Sequence, residues 1–184
     1  MGIISVIIIF ICICVDNMVS ANMSAMNITT DRSVFSIKLA LFFAGFNTLG
    51  FALGYIISMI FFRNWVYFAH NWVAFAFLLL LGIKFMLESI EKSPSFRTTE
   101  VSNTSKLLKV SSLIGFNAFL VGYAAETMDT AFFPQFVFLA LITFGMTLLG
   151  FHLGNPNSKT IASKKVELVA GIILIVMAVR LIIV

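Results

Sequence analysis

Charge is what this chain has least of. Asp, Glu, Lys and Arg make up 11% of its 184 residues, against about 25% in a soluble domain. With 60% apolar residues and a mean hydropathy of +1.06, water cannot be its main solvent. Only two cysteines occur, Cys12 and Cys14, two residues apart in an apolar run. Residues so spaced do not share a helix face. Neither a disulfide nor a metal pair is expected, and both read as small apolar residues. No ATP-binding motif, nucleophile–base set or metal-hydrolase motif is found, so the chain does not read as an enzyme. Its net charge of +4 comes from Lys and Arg scattered through loops, with no basic helix face, which argues against nucleic acid as a partner. No Lys or Arg precedes the apolar run Ile3 to Val15, and Asp16 follows it directly. A signal peptide needs a basic leading segment, so this run reads as a retained first helix.

What is present is a series of long apolar runs. A membrane-spanning helix needs about 20 such residues, and six can be placed, at about Ile3–Met23, Phe35–Phe62, Trp65–Ile90, Leu107–Ala125, Phe132–Leu153 and Val166–Val184. The expected fold class is an all-α membrane protein. The polar stretch 91–106, with Pro94 and mixed charge, is the one long linker. It separates a three-helix repeat at 1–90 from a second at 107–184. Asn155-Pro156-Asn157-Ser158 ends the fifth run.

Two patterns relate the halves. Leu49-Gly50-Phe51-Ala52-Leu53-Gly54 matches Leu149-Gly150-Phe151-His152-Leu153-Gly154 at five of six positions, and Gly82-Ile83 is echoed by Gly171-Ile172. Three crossings per half is an odd number, so the second half would be inverted relative to the first, the arrangement of many transporters. The first, third and fifth loops carry Arg32, Lys38, Lys92, Arg97, Lys106, Lys109, Lys159, Lys164 and Lys165, while the second and fourth carry only Arg63. Positive charge stays inside. Both termini are therefore expected outside and the odd loops in the cytoplasm, with Trp65, Tyr67 and Trp72 in an outer aromatic belt.

Ionisable groups within lipid are costly and need a reason. Asp16 falls toward mid-membrane, flanked by Asn17, with Ser20 one turn on along the same face. Asn47 and Asn117 fall at similar depth at about 1.5 Å of rise per residue. Oxygen donors at one depth suit a hard divalent cation such as Mg²⁺, Ca²⁺ or Mn²⁺, so Asp16, Asn17, Ser20, Asn47 and Asn117 form the expected metal set. The two Asn read equally well as interhelical hydrogen-bond glue. Lys84 and Glu88 read as a local i,i+4 ion pair snorkelling to the interface. Glu126 and Asp129 read as a solvated loop, His152 as a helix contact, Arg180 as snorkelling outward, and Met18, Met23 and Met26 as packing. The G-x-x-x-G glycines, Gly50 with Gly54 and Gly150 with Gly154, predict close helix packing.

Taken in order, these segments resemble the MntP family of manganese efflux pumps, within the LysE-type transporter superfamily. The resemblance rests on Cys14-Val15-Asp16-Asn17-Met18-Val19-Ser20, Asn117-Ala118-Phe119-Leu120-Val121-Gly122, His70-Asn71-Trp72-Val73-Ala74-Phe75, Leu81-Gly82-Ile83-Lys84 with Glu88, and Ser163-Lys164-Lys165-Val166-Glu167-Leu168. It implies export of Mn²⁺ across the plasma (inner) membrane, the ion being transported substrate and no cofactor being required. The implied partners are a lipid bilayer and a divalent metal ion, with a homo-oligomer left open. The family has acids where this chain has Asn47 and Asn117. An amide oxygen still coordinates a cation, but two missing charges offset less of its desolvation. Transport of another metal or small solute, and a non-transporting scaffold, therefore stand as alternatives.

Overall fold

The structure is a computed structural model. It describes residues 3–26, 32–62, 67–90, 104–128, 131–154 and 161–183. Six helices account for nearly all of them: α1 (Ile3–Met26), α2 (Arg32–Ile57, continued by a π-helical turn Ser58–Phe62), α3 (Tyr67–Ile90), α4 (Thr104–Glu126), α5 (Phe132–Leu153) and α6 (Ile161–Ile183). No strand occurs among the described residues, and all six helices are long and apolar enough to cross a membrane. Lipid offers no hydrogen bonds, so a chain this apolar satisfies its backbone within helices. The expected α5 is reproduced residue for residue. α1 runs on to Met26, α4 starts at Thr104 and α6 at Ile161, because flanking polar residues can continue a helix beyond its apolar stretch. The linker residues 91–103, Arg63, Trp65, Asp129, the 155–158 break and Lys159 lie outside the described residues, as do the side chains of Met26, Tyr67, His70, Lys106 and Lys164.

α1 is the central helix. Its most apolar window is 72% buried, against 28% for α5. Its polar residues Ser5, Asp16, Asn17, Ser20 and Ser24 all face protein, whereas Leu41, Leu80, Phe133, Leu141 and Ile183 on other helices point outward, as lipid requires. The main packing pairs are α2 with α4, α1 with α5, α3 with α6 and α2 with α5, followed by α1 with α6 and α3 with α4. Exchanging α1 with α4, α2 with α5 and α3 with α6 leaves this set of pairs unchanged.

Glycines set the closest approaches. A Cβ on Gly50 or Gly54 would collide with the carbonyl oxygens of Gly115 or Phe119 on α4, and one on Gly150 with that of Met18 on α1. Gly82 and Gly171 are reciprocal: a Cβ on either would lie 2.9 or 2.8 Å from the other's carbonyl oxygen. Helices in lipid gain little from burying apolar surface against each other, so small residues that let backbones touch carry the association.

Arg32, which reads from sequence as a topology signal, also ties helix ends together. Its Nη2 donates to Gly154 O at 2.8 Å and Ala25 O at 3.3 Å, and its guanidinium lies 6.0 Å from the Phe151 ring centroid. Both carbonyls belong to helix C-termini, which lack intrahelical partners and attract cations. Arg32→Ala is expected to cost about 1.5 kcal/mol, the lower range for a charged hydrogen bond. A lowered denaturation midpoint in detergent would show it, and an unchanged midpoint would count against the clamp.

Candidate metal site

The site is built on the polar face of α1. Asp16 and Ser20, one turn apart, line a cavity of ≈ 70 Å³ with Lys84 and Glu88 of α3 and with Val110, Leu113 and Ile114 of α4. A water needs roughly 10–15 Å³ by this kind of measure, so the space holds an ion with a few waters. Asp16 is buried at 4% exposure, as is Glu167 near the start of α6. Carboxylate oxygens of Asp16, Glu88 and Glu167 all lie within 4.8 Å of one another. Two ionised carboxylates at that distance repel by about 3–4 kcal/mol at an effective dielectric of about 20. Three helices thus bring together carboxylates whose mutual repulsion a positive charge among them relieves.

Two groups flank the cluster. Asn117 of α4 donates from Nδ2 to Asp16 Oδ2 at 2.8 Å, and its Oδ1 accepts from Lys84 Nζ at 2.7 Å. Carboxylate and ammonium fix which way the amide points, since an ionised carboxylate only accepts and an ammonium only donates. Lys84 Nζ is 3.8 Å from Glu88 Oε1. Lys84 and Glu88 thus face the centre of the protein rather than forming only a local surface pair.

Asn47, another member of the expected metal set, is buried and bonded to α5. Its Nδ2 donates to Thr143 Oγ1 at 3.0 Å, and Cys14 Sγ lies 3.3 Å from the same hydroxyl. Its Oδ1 has no hydrogen-bond partner among the described residues, and neither amide atom of the buried Asn17 makes a hydrogen bond of ordinary geometry. Asn17 is turned about 100° from Asp16 by the helical pitch and is not among the residues lining the cavity. The structure thus brings Asp16, Ser20 and Asn117 together, and sets Asn47 with Thr143 and Cys14 in a second polar group.

Other residues singled out from sequence take plainer roles. His152 is exposed, with Nδ1 3.0 Å from Leu148 O of its own helix. Glu126 Oε2 accepts from Ser58 Oγ at 3.4 Å. Met23 is part of the apolar core, and both cysteines are buried free thiols. Sequence reasoning misses Glu167 as a site residue and gives Lys84 and Glu88 a peripheral role. Glu88 and Glu167 lie close enough to the ends of α3 and α6 to read as interfacial, so the sequence carries no signal that separates them from ordinary helix-end charges.

The family profile described as "Mntp: Putative manganese efflux pump" matches residues 30–182. Among curated proteins, the chain is 30% identical over 129 residues to "Putative manganese efflux pump MntP" of Pectobacterium atrosepticum, covering 69% of this chain and 66% of that one. It is 25% identical over 148 residues to the protein of the same name in Crocosphaera subtropica, covering 80% and 78%. It is 23% identical over 191 residues to "Putative manganese efflux pump MntP 2" of Clostridium botulinum, covering 98% and 94%. No solved structure matches the chain.

Proposed function

This chain belongs to the family described as "Putative manganese efflux pump", and from that premise we propose that it is a secondary transporter exporting divalent cations, Mn²⁺ foremost, from the cytoplasm. The observation that carries this reading is the convergence of Asp16, Glu88 and Glu167 within 4.8 Å. Three hard carboxylates with neutral oxygens nearby are the donor set for Mn²⁺, Mg²⁺ or Ca²⁺. In the proposed site the carboxylates hold the ion, Ser20 and Asn117 supply or position neutral oxygen, and water completes the shell. Asn17 and Asn47 are assigned to the adjoining polar group, where the ion passes on its way across.

The proposed motion is alternating access by two inverted three-helix repeats, 1–90 and 107–184, joined by a cytoplasmic linker at 91–106. Unchanged packing pairs under exchange of the halves support it. So do two hydrogen bonds: Asp16 with Asn117, and Asn47 with Thr143, each join α1 to α4 or α2 to α5, the places where a two-fold axis between the halves would pass. Close glycine contacts leave few interlocking side chains to oppose rocking. The proposed topology keeps both termini outside.

The test is transport by purified protein in vesicles loaded with a Mn²⁺-quenched dye. Protein-dependent quenching is expected, with weaker signals for Mg²⁺ and Ca²⁺. The amides at Asn47 and Asn117, where the resemblance implies acids, favour a second reading, transport of a different cation or solute. Quenching by another metal with none by Mn²⁺ would select a different cation, and no flux of any cation would sink the cation-export reading.

A further inference from the structure

Lys84 has a place in this site that an interfacial anchor would not have. A lysine near the end of a membrane helix ordinarily extends its stem toward the headgroups and leaves its ammonium in water. Here the stem turns the other way. Nζ reaches across from α3 to Asn117 Oδ1 on α4 at 2.7 Å, while Glu88 on its own helix lies at 3.8 Å. Its side chain is 37% exposed and that of Glu88 27%, whereas Asp16 and Glu167 are each 4% exposed. Lys84 and Glu88 thus form the more exposed side of the cluster, and Asp16 and Glu167 the buried side.

We propose that Lys84 is the resident counter-ion of the carboxylate site, occupying its more exposed side until a divalent cation displaces it. This rests on the reading of Asp16, Glu88 and Glu167 as the cation site. Three carboxylates within 4.8 Å of one another repel, and Lys84 is the one cationic side chain, among the described residues, lining the cavity that two of them, Asp16 and Glu88, share. Asn117 carries that charge inward: its oxygen faces the ammonium and its N–H faces Asp16, so one amide links the cation to a buried acid. A dication entering the same space meets the ammonium at short range, and like charges so placed repel. Lys has a flexible four-carbon stem and a point charge, so it can withdraw through the open face while Asn117 Oδ1 turns to the metal. The ammonium then competes with the cargo, keeping the affinity low enough for release on the far side. Lys84 is in this sense a positioning and affinity-setting residue rather than a ligand.

The test compares Mn²⁺ binding by purified full-length protein in detergent, using wild type, Lys84→Met, Lys84→Gln, Lys84→Arg and Glu167→Gln, each confirmed monodisperse. Removing the charge is expected to tighten Mn²⁺ binding about tenfold, the factor set by about 1.4 kcal/mol. Lys84→Arg, which keeps the charge, should stay near the wild-type affinity, and Glu167→Gln should bind far more weakly. A purely structural lysine would give the opposite sign, with both uncharged variants binding more weakly. Unchanged or weaker binding in Lys84→Met and Lys84→Gln, or equal tightening in Lys84→Arg, would overturn the counter-ion role and leave the carboxylate site standing. Absence of binding in wild type and in both uncharged variants, or binding indifferent to Glu167→Gln, would remove the site itself and the counter-ion with it.

Discussion

Asp16→Asn is expected to reduce Mn²⁺ binding by two to three orders of magnitude and to abolish protection of manganese-sensitive cells. Asn has nearly the same shape, so the α1 backbone and the contact with Asn117 can persist while one negative charge is lost. Breaking a buried charge pair costs about 3–5 kcal/mol, and about 1.4 kcal/mol is a factor of ten in affinity. Asp16 is the buried carboxylate of the network, and Asn117 and through it Lys84 are organised around it. Ser20→Ala, on the same face, removes a neutral oxygen and should cost far less. Cells carrying the Asn variant that grow in manganese as well as those with wild type would show that the ion does not depend on Asp16.

Gly150→Val should damage the fold severely. A Cβ at Gly150 would overlap the carbonyl oxygen of Met18, and a backbone atom cannot swing aside as a side-chain tip can. α5 would have to move away from α1 along the segment that carries Asp16. Overpacking of this kind costs about 3 kcal/mol or more when the obstacle cannot relax. The expected result is a sharp loss of monodisperse protein on size exclusion and a lower thermal midpoint, already visible with Gly150→Ala. Gly145 is the internal control, because a Cβ there meets nothing within 4 Å. Gly145→Ala should be neutral or slightly stabilising, since Ala favours helix over Gly by about 1 kcal/mol. Equal stability of the two Ala variants would mean that the α1–α5 contact does not depend on the missing Cβ.

These two effects differ in how far they can be read without coordinates. G-x-x-x-G spacing announces close packing by itself, and the helices follow from apolar runs too long for anything but a membrane. Asp16 and Asn117 are legible because a polar residue in mid-run stands out. Glu88 and Glu167 are not, because depth can only be counted along each helix from its end. Glu88 is two residues from the end of α3 at Ile90 and Glu167 six from the start of α6 at Ile161, which suggests headgroups. The folded helices nonetheless bring both carboxylates within 4.8 Å of Asp16, and which helices lie side by side at that depth cannot be counted from sequence. Asn47 shows the converse. Its depth follows from the run, but the direction it faces around α2 depends on which helix lies there, and that helix is α5 with Thr143.

The π-helical turn at Ser58–Phe62 makes α2 unlike α5, whose described end is an ordinary cap at Gly154 bonded to Gly150 O and Phe151 O. Such a turn fits an additional residue into the same rise, and here it leaves the Ser58 hydroxyl between Tyr123 O and Glu126 Oε2. A machine of two interchangeable halves would open to either side with equal ease. If the two halves exchange openings as proposed, an additional residue in one and none among the described residues of the other would remove that degeneracy and tilt the resting population toward one opening before any ion or gradient is applied.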